Sequence, residues 1–560
     1  MGTIVRVPLG GRRVRGYVME IADRPPGRLK PIGGVSGEHA VFDTHLRDAL
    51  TWAAHHYVAP LSVLMERAAP PNLPIQVSAP PPVPGPPPEA VHPLDTMVEA
   101  VLGDRRRPVT ALLSPWEDMR WLTALFPLLK SGRSVLVVVS TAAEAAAIAG
   151  EARQVVGERV CEVTGDLEDS AITRAWSTAA SHPGQLIVGT PRVAAWPIAG
   201  LAVAVVVEEG RRAMKDRQTP TLAVRRLLMT RSRLEGFAQV YVGPTPSVEL
   251  LASGAEMIRP GPRAWPLVEV VDRNEEPPGS GLISQRSRAA ITGMVGQGGS
   301  VFVFTHRRGY APAYRCSTCR ELRRCPTCGS RPEPGEACPR CGEPSRPCLS
   351  CGGGTFEPLG AGTGRVLHEL RGFLGERVAA AGESAPVTVG TEADLAGLEG
   401  VALAVAVDVD GLALGSHFRA SEEALRILAR VAGRVSRGRG HRLMLQTSMP
   451  DQPLVQALRR GDPLEFLHVE LGERERLGYP PARELLVIET RGDGADVDGD
   501  IRSLVDDRST VMGPAQTVDS RRWLVQGPEL GGFKTAMRPV VQRWRDSGVA
   551  VRVDVDPLDL

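Results

Sequence analysis

Hydrophobic positions along the chain change their period several times, and each change predicts a different element. The first residues alternate β-branched and basic side chains around turn glycines (VRVPLGGRRVRGYV), the pattern of a hairpin with one solvated face. A helical stretch from Leu46 to Met65 ends ahead of Pro70 and Pro71, so residues 1–75 read as a small strand-rich domain with one helix. Half of the run SAPPPVPGPPPEAVHP inside residues 76–95 is proline, which lacks a backbone donor, and it predicts a stiff, extended linker.

Beyond the linker, short runs apolar on both faces alternate with helical stretches: VLVVV at 135–139, LIVG at 186–189, VAVVV at 203–207 and VYVG at 240–243. Strands without a polar face must lie under helices on both sides, which implies a parallel α/β sheet. A second set, VFVF at 301–304, VTVG at 387–390, LAVAV at 403–407 and LMLQT at 443–447, predicts another such lobe. Two α/β lobes in tandem suggest a RecA-like motor pair, with lobe one over 96–255 and lobe two over 256–314 and 357–480. A cysteine-rich module at 315–356 interrupts lobe two, and residues 481–560 read as a small α+β C-terminal domain.

Composition narrows the function little. Hydrophobic residues at 42% and charged residues at 23% are ordinary for a globular chain, while 4% aromatics argue against a large stacking platform for bases. A formal net charge of +2 says nothing about partners, but distribution does. Only Lys30, Lys130, Lys215 and Lys534 are lysines, and arginines cluster at 105–107, at 323–324 and through Arg434, Arg437, Arg439 and Arg442. Arginine favours bidentate phosphate contacts; the plainer reading of any one cluster is a compositional bias on a solvated face. No apolar run reaches the ~20 residues of a membrane span and no signal peptide opens the chain, so a cytoplasmic location is expected.

Eight of the nine cysteines fall between 316 and 351, in four CxxC pairs. A reducing compartment makes metal the expected partner, and eight thiolates fit two tetrahedral zinc sites. A nine-residue hairpin lets Cys325 and Cys328 meet Cys338 and Cys341. The five-residue gap after Cys319 leaves little room for such a return, so Cys316 and Cys319 are expected to share the outer ion with Cys348 and Cys351. Gly329, Gly342 and Gly352 follow three of the pairs and permit the tight turns. Closed four-thiolate sites are structural, not catalytic. Cys161 stands apart as a small buried hydrophobe.

The order of these strings resembles the replication-restart helicase family PriA, or primosomal protein N′. HRRGYAP at 306–312 is similar to that family's NRRGYAP, which leads into nested four-cysteine sites and then a GAGT element, here Gly360 to Thr363. The resemblance extends over nearly the whole chain: the N-terminal hairpin, LKPI and HHYVAPLSVLMERAAPP, GTPR in place of GTRSA, TPS at 245–247, and LGYPP at 477–481. It implies DNA binding by the N-terminal domain, with Arg6, Arg12, Arg13 and Arg15, and Arg307 and Arg308 of the motor string, as candidate phosphate contacts. It also implies forked or single-stranded DNA, primosome components, the replicative helicase and single-strand-binding protein as partners. Relative to the family, the first strands, the segment before the motor and the stretch between Leu370 and Val387 are shortened.

The departures bear on mechanism. A phosphate loop needs glycines, a lysine and a magnesium-binding hydroxyl, yet residues 112–122 read LLSPWEDMRWL and add Glu117 and Asp118. Where the family has DEEH, this chain has Val207, Glu208, Glu209 and Gly210, so the magnesium-holding aspartate is a valine. Arg434 and Arg437 match the arginine fingers, and without a γ-phosphate they become DNA-backbone contacts or buried ion pairs. The expectation is therefore a zinc-containing DNA-binding scaffold of replication restart, without ATP and Mg²⁺ chemistry. The alternatives are an active ATP-dependent 3′–5′ translocase with an atypical phosphate loop, and a zinc-dependent interaction module with no DNA contact.

Overall fold

The structure is a computed structural model that describes all residues except 22–30, 84–90, 104–107, 261–264, 278–279, 308–312, 328, 340, 399, 416, 493, 517–519 and 560, and not the side chains of 37, 38 and 359. Lys30, the Arg105 to Arg107 cluster, Arg308, Cys328 and the middle of the proline run thus lie outside the described residues.

Both predicted lobes are parallel sheets clad in helices. The first has seven strands in the order Glu256–Ile258, Val109–Leu113, Ala238–Gly243, Leu201–Val207, Ser134–Val138, Leu186–Gly189 and Val160–Val163, every pair parallel. The second has six, in the order Leu267–Asp272, Arg442–Thr447, Leu403–Ala406, Val301–Phe304, Val387–Gly390 and Val378–Ala380, again parallel. Their central strands are buried along their whole length apart from Leu201 at the start of one, as the absence of polar alternation requires. These are two RecA-like lobes with a cleft between the carboxyl ends of their strands, where such sheets place their ligands.

The N-terminal sheet is antiparallel, with strand Thr3–Leu9 between Arg12–Tyr17 and Gly34–Ala40. One helix was expected beside it, but there are two, Thr44–His56 and Leu61–Ala68. The break falls at Pro60, which has no N–H for the helical ladder and sits at ψ 136 as the cap of the second helix. The described linker residues lie along lobe one: the Ile75 amide donates to Ser177 Oγ at 3.1 Å, and Arg159 Nε to the Pro81 carbonyl at 2.6 Å. The C-terminal sheet is antiparallel, in the order Thr510–Gln516, Arg521–Gly527, Glu484–Arg491 and Ala550–Val555, and is backed by helix Gly531–Asp546. Trp176, Trp523 and Trp544 help weld both terminal domains and lobe one into a continuous apolar cluster. No described helix is long and apolar enough to cross a membrane.

Candidate functional site

At the end of strand Val109–Leu113, where a phosphate loop would open, the chain makes a packed turn. Pro115 has no N–H, while the Ser114 amide donates to Gly243 O at 3.1 Å and the Asp118 amide to Pro115 O at 3.1 Å. These two amides are therefore committed within the protein. Trp116 is buried in the lobe-one core and its carbonyl accepts the Trp121 indole N–H at 2.9 Å, so aromatic packing fixes the turn. Lys130 ends the following helix, Arg120–Lys130, and is exposed.

Acids and arginines fill the cleft beside this turn. Glu117 reaches across it to form an ion pair with Arg434 of lobe two. Glu208 follows strand Leu201–Val207 in a left-handed conformation (φ 49), which only a tightly determined surrounding imposes on a non-glycine residue. Its carboxylate lies 3.0 Å from Arg430 Nε and 3.4 Å from Arg211. Burial pushes its pKa up, opposed by Arg430, Arg211 and Arg426. Glu144 caps its own helix by accepting the Ser140 and Thr141 amides, each at 3.1 Å, and turns its other oxygen to Arg211, with Arg430 at 3.9 Å. Glu209 is engaged apart from this group, accepting the Ser247 amide at 2.7 Å and facing Arg225 at 3.5 Å.

The cationic side comes chiefly from one helix, Ala420–Gly433. Its Leu425, Leu428, Ala432 and Val431 are buried in lobe two, and Arg426, Arg430 and its C-cap Arg434 recur every four residues, which places them on one face. Glu392 of lobe two pairs with Arg426 at 2.6 Å and Arg430 at 2.8 Å. Burial acts to raise the Glu392 pKa but is outweighed by these arginines, which hold it at about 2. Arg437 is exposed and forms no ion pair among the described residues. Glu144, Arg211, Glu392, Arg426 and Arg430 were not anticipated from the sequence. The four-residue spacing of Arg426, Arg430 and Arg434 is the signal that could have found three of the participants.

The cysteine module hangs from the antiparallel pair Ala313–Cys316 and Phe356–Leu359. The sulfurs of Cys316, Cys319, Cys348 and Cys351 lie within 4.8 Å of one another, and so do those of Cys325, Cys338 and Cys341; Cys328 is outside the described residues. Contacts of 3.5 Å join Cys316 to Cys351, Cys319 to Cys348 and Cys325 to Cys341. That is far too long for a disulfide and close to the ~3.8 Å edge of a thiolate tetrahedron around zinc with ~2.3 Å bonds. One turn is built four times. The amides of Arg320, Gly329, Gly342 and Gly352 donate to the carbonyls of Cys316, Cys325, Cys338 and Cys348 at 2.8 to 3.0 Å. All four donor residues have positive φ, between 66 and 76. Arg320 occupies the position that glycine takes in the other turns, which the sequence reading did not anticipate. Amides of Cys319 and Thr318 pull the Cys316 thiol down to about 6, while hydrogen bonds with its cluster partners push Cys319 up. Both clusters could hold a metal ion, and all-thiolate donors are consistent with zinc.

In the N-terminal sheet, Arg6 pairs across strands with Arg15, and Pro8 with Arg13, so these arginines share a face, while Arg12 lies opposite Leu9 on the other. Arg6, Arg12 and Arg13 are exposed and form no ion pair among the described residues. Arg15 donates to the Pro70 and Pro71 carbonyls at 3.0 and 3.4 Å, tying the sheet to the end of the second helix. Arg307 is exposed, and its carbonyl accepts the Thr363 amide at 3.1 Å and hydroxyl at 3.0 Å, which joins HRRGYAP to the GAGT element.

Two RecA-like lobes facing a cleft, with a cysteine-rich insertion and a basic N-terminal sheet, define a helicase-like protein with a DNA-binding domain. Residues 1–70 match the 3′ DNA-binding domain (3′BD) of PriA. Over most of its length the chain is similar to the PriA replication restart proteins. It is 26% identical to the probable replication restart protein PriA of Mycobacterium tuberculosis over 87% of this chain and 82% of that one. With the protein of Mycobacterium leprae it is 26% identical over 100% of this chain and 96% of the relative. With that of Treponema pallidum the identity is 24% over 100% and 95%.

Proposed function

We propose that this protein is a DNA-binding scaffold of replication restart, which holds forked or single-stranded DNA and assists reloading of the replicative helicase without hydrolysing ATP. The observation that carries the reading is the match of residues 1–70 to a 3′ DNA-binding domain, joined to a sheet on which Arg6, Arg12 and Arg13 are exposed and free of ion pairs among the described residues. Arg307, exposed on lobe two, would be a further phosphate contact, with Arg308 beside it in sequence. Two structural zinc ions would rigidify the cysteine module as a platform for DNA, for primosome components or for single-strand-binding protein.

The cleft supports the second half of the reading. Hydrolysis of a triphosphate needs positive charge and a chelated magnesium ion around the terminal phosphate, whereas here Val207 stands for the metal ligand and Glu117, Glu144 and Glu208 already engage the arginines. Fluorescence anisotropy with labelled fork DNA at two salt concentrations tests the binding, and phosphate release in the same preparation tests the motor. Expected are tight binding that weakens steeply with salt and no DNA-stimulated release. Binding that is absent or indifferent to salt would exclude the scaffold, and release abolished by Glu208→Gln would restore the motor.

A further inference from the structure

We propose that the interlobe cleft is a latch in which the protein's own carboxylates take the place of nucleotide phosphates and hold the two lobes closed without any ligand. The proposal rests on the absence of ATP turnover and goes beyond it, because a dead motor could equally have lobes that swing free.

Three features carry it. The first is charge placement: Glu117, Glu144 and Glu208 of lobe one meet Arg430 and Arg434 of lobe two. Arg211 and Glu392 supply one further charge of each sign from the two sides. An incoming triphosphate would find its cations taken and three carboxylates in its way.

The second is burial. The side chains of Glu144, Glu208 and Arg430 are 0%, 3% and 4% exposed. Water therefore screens these pairs poorly, and parting the lobes would leave charges of both signs without their partners. Exposed ion pairs would latch nothing.

The third is a second tier across the same boundary. Arg212 and Glu423 form a forked pair at 2.8 to 3.1 Å, Glu249 pairs with Arg419 and lies 3.6 Å from Arg474, and Glu422 accepts the Val248 amide at 2.9 Å. Val248 itself is buried among lobe-two side chains. The closed arrangement is thus over-determined, and the left-handed backbone of Glu208 is tolerated inside it.

The test is single-molecule energy transfer on the full-length, zinc-loaded chain. Dyes are carried by unnatural residues at exposed Glu151 of lobe one and exposed Arg459 of lobe two. The wild-type protein should give one narrow population, unchanged by ATP or a non-hydrolysable analogue with Mg²⁺. Arg434→Glu, which sets like charges against each other at the less buried end of the cleft, should raise the open population about tenfold. The swap Glu117→Arg/Arg434→Glu should return it to the wild-type value. Glu117→Gln/Glu144→Gln/Glu208→Gln should open the lobes further; if that variant does not fold, the wild-type and charge-swap data still decide. A broad wild-type distribution, closure on adding nucleotide, or no response to Arg434→Glu would overturn the latch. Phosphate release from the same sample separates the two failures: mobile lobes without turnover sink the latch alone, and mobile lobes with turnover sink the proposed function as well.

Discussion

The cysteine module and the interlobe cleft resemble the same family, but only the module keeps the residues that carry the resemblance. In the module the donor atoms remain and their spacing can be read directly: four turns of one design bring cysteines together in two groups. In the cleft the strands end where a motor would place its ligand, and the side chains gathered there are paired acids and arginines. Residues 112–122 contain no glycine and no lysine and include Glu117 and Asp118, and Val207 stands where the resemblance puts a metal ligand. The core that builds the cleft is separate from the few polar residues that charge it, so the fold alone does not say what the cleft does.

The comparison can be broken first at the metal. Metal analysis should find two zinc ions per chain. Cys348→Ser should release the outer ion and leave the inner one, and Cys338→Ser the reverse. Since the binding energy of a structural zinc, ~10–16 kcal/mol, is largely folding energy, chelation should unfold the module, read as protease cleavage between residues 315 and 356. Loss of both ions on a single cysteine substitution would contradict two separate sites.

The cleft is the next test. Arg430→Met leaves Glu208 and Glu144 buried with fewer partners and should cost about 3–5 kcal/mol in denaturant unfolding. Glu208→Gln/Arg430→Met should recover much of that loss, so the double-mutant cycle should be strongly non-additive.

A smaller effect belongs to the N-terminal sheet. Arg12→Ala/Arg13→Ala should weaken fork binding and lower the slope of log affinity against log salt by about 1 for each phosphate that is no longer neutralised, with thermal stability unchanged.

The smallest effect near neutrality is that of pH. Glu392 and Glu249, the latter held at about 2 because Arg419 and its neighbours outweigh burial, have folded-state values below the ordinary one of 4.5. Their contribution is complete above the unfolded value and is lost as pH falls from there towards 2. Thermal midpoints measured from pH 6 to pH 3 should be level at first and then fall, with the fall reduced in Glu392→Gln.

Much of this was legible in the sequence where one residue type carries one meaning. Runs such as VAVVV, short and rich in β-branched residues, favour buried strands, and CxxC pairs can be arranged in only a few ways. The helix break at Pro60 was missed because the apolar pattern continues through it. The ion network was missed because it joins residues as far apart as Glu117 and Arg434, which no local pattern connects. Only the stripe of Arg426, Arg430 and Arg434 was visible beforehand, and a stripe of that kind on a helix usually means a solvated face. Arg15 and Arg320 show the same limit, since each is set by a backbone contact that only the fold reveals.

Titration calorimetry of ATP with Mg²⁺ into the zinc-loaded, full-length protein, with and without fork DNA, tests the central claim most directly. A cleft whose arginines already face Glu117, Glu144 and Glu208 should give no binding heat in either case, while the same preparation binds the fork. Saturable nucleotide binding at one site per chain, lost when Arg430 or Arg434 is replaced, would contradict it.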